Sequence, residues 1–309
     1  MKRFLIPVGL VLAGCGSGGS SFNEPGFEPP AAPATVSLLV TDAPVDTVQA
    51  VNVEFAAITL QNALGDSIEL PLAQTTAVDL LQLQGGTTAT LVSASEVPPG
   101  SYTSFRLRVN ASFDSIFDSF VVRNGGQIEI QVPGGEIDVA GNLQFAEGHS
   151  SSLVIDWDLR QSLTEPVGQP GLVLQPGIRL LNTANTGSLN GTVSDLLIDD
   201  TLNGDASCAN DLVADTGNAV YVYEGRLESP DDIQPGDVAP LTTATVSFVD
   251  GAYRYSVGFL EAGDYTAAVT CQGLSDNPET NDDIEFAAII NSVTIVGGQA
   301  TTQDFPAGG

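Results

Sequence analysis

The sequence predicts an all-β protein built from two antiparallel β-sandwich domains. Three observations lead there. Short runs of Val, Ile, Leu, Phe and Tyr alternate with polar residues at period two along the chain. Turn residues separate these runs, with 33 Gly and 18 Pro in 309 residues. No stretch keeps a 3.6-residue apolar stripe over the ten or more positions a helix needs. Many short strands without interleaved helices favour a sandwich over a parallel sheet.

The chain opens on Lys2-Arg3, a short apolar run from Phe4 to Leu12, and then Ala13-Gly14-Cys15. A cationic start, an apolar stretch too short to span a membrane stably, and small residues before a cysteine make the pattern of a lipoprotein signal peptide. Cleavage after Gly14 removes residues 1–14 and leaves Cys15 as the lipidated first residue. Residues 15–34 are rich in Gly, Ser, Pro and Ala and read as a flexible tether. Gly16 rather than Asp follows the cysteine, so in a two-membrane bacterium the expected destination is the outer membrane.

The first sandwich is expected over residues 35–184. Val36 to Thr41 forms a strand stopped by Asp42-Ala43-Pro44. Val51-x-Val53-x-Phe55 alternates and continues into Ile58 to Leu60, and a hairpin turn over Asn62 to Asp66 returns through Ile68 to Leu70. Further strands are expected at Val78 to Leu83, where Asp79 to Leu83 could instead form one turn of helix. Others follow at Thr88 to Ser93, Tyr102 to Val109, Phe117 to Val122, Gln127 to Val132 and Leu153 to Leu159.

A pause around Asn182 to Ser188 marks the boundary, and the second sandwich is expected over residues 185–309. Its strands are Leu189 to Val193, Ala219 to Tyr223, Ala244 to Val249, Tyr253 to Phe259, Tyr265 to Cys271 and Ile289 to Val296. Val220, Val222, Val246, Phe248, Tyr255, Val257, Tyr265 and Val269 should fill its core. Val97-Pro98-Pro99-Gly100-Ser101-Tyr102-Thr103 and Leu260-Glu261-Ala262-Gly263-Asp264-Tyr265-Thr266 echo one another. Each reads as a tight Gly turn feeding a strand whose first Tyr packs at a sheet corner.

The Thr41-Asp42-Ala43-Pro44 end of the first strand, Val51-x-Val53-x-Phe55, Asp79-Leu80-Leu81, Pro99-Gly100-x-Tyr102 before Arg106-Leu107, and Asp156-Trp157-Asp158-Leu159 before Ser162-Leu163 occur in this order. Together they resemble a bacterial lipoprotein family of unknown function, a DUF4382-like domain, over roughly Val36 to Leu181. The resemblance implies an extracytoplasmic β-sandwich and brings no catalytic residues. Gly191-Thr192-Val193 and the Gly263-x-Tyr265-Thr266 turn are similar to prealbumin-like or carboxypeptidase-regulatory-like sandwiches, with a long insertion from Asp195 to Gly217 as a departure.

Charge narrows the partners. Lys+Arg number 9 and Asp+Glu 38; removal of Lys2 and Arg3 leaves 9 − 2 = 7 basic residues, all Arg, and a net charge near 7 − 38 = −31. Such a surface repels phosphate backbones and anionic headgroups, which excludes nucleic acid and leaves the acyl chains as the membrane attachment. With Cys15 committed to lipid, Cys208 and Cys271 are expected to form a disulfide in an oxidising compartment.

Candidate chemistry is sparse. Asp156 and Asp158 flank Trp157 and at period two share one face with the indole on the other. A glycosidase places its aromatic platform beside its paired carboxylates. Trp157 therefore reads as a core anchor with the Asp side chains in solvent or bonded to loops. Asp42 reads as the cap of its own turn. His149 follows Glu147-Gly148 in a polar turn with no second His or Cys nearby, which disfavours zinc. The acidic stretch over residues 199–205 fits a calcium loop only in part: Asp199, Thr201 and Asn203 precede Gly204, Asp205 follows, and Asn210 replaces the closing Glu. Asp199, Asn203 and Asp205 are the weak calcium candidates, and Asn281-Asp282-Asp283 between Glu279 and Glu285 is a weaker one. No catalytic residue is assigned and no cofactor is expected, calcium excepted. The expected function is a lipid-anchored, non-catalytic binding or structural module of the cell envelope, facing an envelope protein or glycan. A calcium-dependent adhesin-like protein and a carboxylate-based hydrolase are the alternatives.

Overall fold

Strands dominate the computed structural model, which describes residues 31–43, 45, 48–73, 77–175, 177–198, 217–234 and 238–307. In the first half they are β1 (Ala34–Ala43), β2 (Ala50–Asn62), β3 (Ser67–Leu70), β4 (Ala77–Asp79), β5 (Ala89–Val97), β6 (Gly100–Val109), β7 (Phe120–Arg123), β8 (Gly126–Gln131), β9 (Glu136–Phe145), β10 (Ser150–Asp158), β11 (Leu163–Thr164), β12 (Leu172–Leu174) and β13 (Ile178–Asn182). The second half holds β14 (Thr186–Val193), β15 (Ala219–Glu224), β16 (Thr242–Thr245), β17 (Ser247–Val249), β18 (Ala252–Glu261), β19 (Gly263–Thr270), β20 (Ala288–Ile295) and β21 (Ala300–Thr302). A single α-helical turn, α1 (Leu159–Ser162), follows β10 directly.

Among the described residues these strands make four sheets. In the first half a sheet ordered β13-β10-β1-β5 faces a larger one ordered β11-β12-β8-β7-β2-β6-β9, with β3 and β4 also paired to β2. In the second half β17-β18-β14-β21 faces β16-β15-β19-β20. The protein is therefore an all-β sandwich structure. Most pairs are antiparallel, but β1 with β10, β8 with β12 and β14 with β21 run parallel. The first core centres on Val36, Leu38, Phe55, Phe105 and Trp157, and the second on Leu189, Val222, Val257, Val293 and Phe305.

Local sequence explains the strands. In β2 the buried positions are Val51, Val53, Phe55 and Ala57, then Ile58 and Leu60. The phase changes because the register with β6 shifts between Phe55 and Ala57, a bulge that turns the second apolar set back to the core. Asp79 ends β4: its Oδ1 accepts from Val51 N at 3.0 Å and caps a 3-10 helix at Leu80–Gly86 through Leu81 N at 3.3 Å. The expected strand over Val78 to Leu83 thus survives only to Asp79, and the helical alternative continues it. Both echo motifs form the same corner. Tyr102 Oη donates to Pro98 O and Tyr265 Oη to Glu261 O, each at 2.9 Å and four residues back.

Some strands differ from expectation. β9, β11, β12, β13 and β21 lie outside the expected strands: in β9, acidic residues outside and Gly141-Asn142 within interrupt the apolar alternation. The run Ala244 to Val249 divides into β16 and β17, which belong to different sheets. Val246 is buried at the crossing, but Phe248 lies on the outer face, 51% exposed and in tilted ring contact with Tyr253 at 5.0 Å, instead of in the core.

Residues 32–309 form one compact unit. Where the halves meet, a Cβ added to Gly258 would lie 2.6 Å from Gly86 Cα, and Ser256 Oγ donates to Gly85 O at 3.3 Å. Backbone meets backbone there, so only glycine fits at 258. Gly258→Ala is expected to wedge the joint open and lower stability by about 1–3 kcal/mol, read from urea unfolding midpoints.

Candidate functional site

Two motifs 115 residues apart come together at the end of one parallel strand pair. Thr41 stands opposite Asp156, Asp42 opposite Trp157, and Ala43 opposite Asp158. Trp157 is 0% exposed and meets Phe55 edge-on at 6.4 Å, so it anchors the first core as expected. Asp156 and Asp158 lie on the opposite face of β10 from that core. They are not in solvent: each is 6% exposed, because the second half covers this face of the sheet.

Each carboxylate is engaged by a neighbour. Arg179, opposite Asp156 on β13, forms an ion pair with Asp156 Oδ2. Asp158 caps α1, accepting from Gln161 N at 3.1 Å and from Gln161 Nε2 at 2.9 Å. Gln161 Nε2 also reaches Pro240 O of the second half at 3.2 Å. The preceding residue, Arg160, is 4% exposed and donates through Nη1 to Gly273 O at 2.8 Å, again in the second half.

Asp42 reaches beyond its own turn, of which residues 44, 46 and 47 lie outside the described residues. Its Oδ1 accepts from Leu159 N at 3.3 Å, because β1 and β10 end together and the first amide of α1 faces it. Its Oδ2 is buried without a hydrogen-bond partner, as is Trp157 Nε1. Burial, then the charges of Asp158 and Asp156, push the Asp42 carboxyl well above the ordinary range. Burial raises Asp156 although Arg179 opposes it, and raises Asp158 to about 6 against the hydrogen bond from Gln161. Asp156 and Asp158 line a polar cleft of about 580 Å³ between the halves, with Arg179, Tyr223 and Glu224.

The other predicted residues are placed as follows. His149 is exposed, with Nδ1 2.7 Å from Glu147 O in its own turn. Cys271 is buried directly after β19. Cys15, Cys208, Asp199, Thr201, Asn203, Asp205 and Asn210 lie outside the described residues. Asp282 is drawn together with Asp232 and Asp276, three carboxylates with oxygens within 4.8 Å of one another. Asp232 Oδ2 accepts from Asp282 N, while Asp276 accepts from Tyr221 Oη at 2.5 Å and from Ile233 N at 3.3 Å. Asp232 and Asp276 were not singled out in the sequence, since each stands in a separate turn and only the topology unites them.

Comparison with known proteins adds a family match over part of the chain. Residues 33–176 match the family described as a domain of unknown function, DUF4382. Curated proteins give no match. Among solved structures, the Bacillus anthracis TIE protein is similar at 10% identity and a TM-score of 0.18, over 88% of this chain and 34% of that one. This chain thus spans about a third of that protein's length. A Bacteroides ovatus protein described as "a putative adhesin" is similar at 10% identity and a TM-score of 0.21, over 97% and 100% of the two chains. GBS52, the minor pilin of Streptococcus agalactiae, is similar at 10% identity and a TM-score of 0.18, over 87% and 94%. At these scores the likeness establishes neither a shared fold nor a shared activity.

The buried acids give the joint a pH dependence of definite sign. Each carboxyl holds its proton more tightly folded than unfolded, so its stabilising contribution is complete below about pH 4. For Asp158 it is lost as pH rises through about 6. Asp158→Asn keeps an oxygen for Gln161 N and is expected to remove about 3 kcal/mol of that fall between pH 4 and 7. Urea unfolding of both proteins across this range checks it; parallel pH profiles would contradict it.

Proposed function

We propose that this chain is a lipid-anchored protein of the cell envelope, a non-catalytic binding or structural module. In this reading Cys15 carries the lipid after loss of residues 1–14, and residues 15–34 hold the folded part off the outer membrane. Two domains, residues 35–184 and 185–309, then present their loops to an envelope protein or glycan. One observation carries the non-catalytic reading. The paired acids Asp156 and Asp158 are held by Arg179 and Gln161, and the indole between them faces the opposite side of the sheet. A carboxylate hydrolase needs its two acids open to one substrate and its aromatic platform beside them, which speaks against that alternative. The net charge near −31 supports attachment by acyl chains rather than by headgroup contacts. No helix among the described residues is long and apolar enough to cross a membrane.

A calcium-dependent, adhesin-like protein is the second reading, favoured by the meeting of Asp232, Asp276 and Asp282. Pairing of Cys208 with Cys271 belongs to either reading. The bridge would close a loop of 63 residues and stabilise the fold by on the order of 4 kcal/mol.

Cys15→Ser is expected to leave an uncleaved or mislocalised precursor that no longer partitions into detergent or fractionates with outer membrane. Fractionation identical to the wild type would end the anchoring claim. Thiol labelling of the unfolded, unreduced mature protein should find neither Cys208 nor Cys271 free; labelling of both would refute the bridge.

A further inference from the structure

A second polar cleft, of about 650 Å³, opens where Gly85 of the first half meets Ser256 of the second. Its size is that of a small-molecule site. The floor is the outer face of the sheet β17-β18-β14-β21. Register sets Ser247 and Thr192 on either side of Arg254, and Ser256 and Thr302 on either side of Asn190, so all six side chains leave one face. Tyr253, Tyr255 and Val257 alternate with them and fill the second core. Asp304, two residues beyond Thr302, ends the same row. Its Oδ1 accepts from Thr192 N at 2.7 Å and from Thr192 Oγ1 at 2.8 Å, which fixes the carboxylate. Gln84, at the end of the 3-10 helix, supplies a wall from the first half.

Arginine is scarce here, and most of it is committed. Arg106, Arg123, Arg179 and Arg226 each hold an acid in an ion pair, and Arg160 is buried in the joint. Arg108, exposed on β6, and Arg254, in this cleft, form no ion pair among the described residues. The cleft thus offers a guanidinium fork, a carboxylate, two amides and several hydroxyls on one surface. Ser, Thr, Asn and Gln both donate and accept, as the hydroxyls of a sugar do. Val249, 47% exposed at the rim, gives an apolar spot for the C–H face of a ring. An anionic ligand fits less well, since Asp304 is held ionised by its bonds from Thr192 and the chain is strongly acidic. A peptide would need a free strand edge or apolar pockets, and the floor is a sheet face with its backbone already paired.

We infer that this cleft binds a neutral saccharide: Arg254 donates to its oxygens, Asp304 accepts from its hydroxyls, and Gln84 closes the site from the first half. The inference rests on the binding-module reading and names that module's site and ligand class. Because one wall comes from each half, the joint between the sandwiches also holds the site in shape.

The test places the full-length protein, in detergent, on an array of neutral oligosaccharides that includes maltotriose, cellotriose and tri-N-acetylchitotriose, with trigalacturonic acid as the charged counterpart. Wild type is expected to bind neutral members and not trigalacturonic acid. Arg254→Met, which breaks no ion pair, should keep the wild-type melting temperature and weaken binding by about tenfold or more. Gln84→Ala should weaken it from the other half, and Arg108→Met should leave it unchanged. Asp304→Asn keeps an oxygen for Thr192 and should weaken neutral binding. Absence of any neutral ligand, binding that survives Arg254→Met, or trigalacturonic acid bound more tightly once Asp304 is neutral would each overturn the inference. Capture from the bacterium's own envelope extract separates the two levels. A partner lost in Arg254→Met and displaced by the trisaccharide found on the array supports the site. A partner held equally by wild type and Arg254→Met overturns the site and keeps the module reading; no partner for either overturns both.

Discussion

Arg160 is carried by a helix of one turn, yet its guanidinium is buried against the half of the chain to which that helix does not belong. Its Nη1 donates to Gly273 O, and its charge acts on Asp158 behind it and on Asp276 ahead of it. Removing one member of a buried charge group leaves the others uncompensated, typically a loss of about 3–5 kcal/mol. Beyond residue 14 the sequence has seven basic residues, all arginine, against 38 acids. Arg106, Arg123 and Arg226 pair with acids at the surface, where ion pairs contribute little. Arg160 and Arg179 are instead committed to the joint, where each charge does most. The single-turn helix follows from the same place: Asp158 caps it, Asp42 accepts its first amide, and Gln161 extends it to Pro240.

The local features of this fold were legible in the sequence, and the tertiary ones were not. Period-two alternation located β2, β6 and β18 because each has one face in a core, while β15, buried on both faces, shows as a continuous apolar run. The two tyrosine corners were legible because donor and acceptor lie four residues apart. β9 escaped because Gly141-Asn142 interrupts its alternation, and β13 because its burial depends on pairing with β10. Phe248 was assigned to a core because nothing local reveals that the chain changes sheet at Val246. The parallel pair of β1 with β10 is the largest such gap: it joins Asp42 to Trp157 across 115 positions.

The same gap separates the candidate site from its motifs. Facing of Asp156 and Asp158 away from Trp157 follows from strand geometry alone. Their burial does not, since it comes from residues around Tyr223 and Pro240 that carry no motif. A strongly acidic protein tolerates buried acids there only because protons, two arginines and backbone amides answer their charge. The joint therefore holds two sandwiches as a single body, and loops on either half keep a fixed relation to one another.

Differential scanning calorimetry of the full-length protein, wild type against Arg160→Met, tests this view of the joint most directly. The wild type should unfold in one transition with calorimetric and van't Hoff enthalpies equal. Arg160→Met should divide it into two, one for each sandwich. Two transitions in the wild type, or one unshifted transition in the variant, would contradict it.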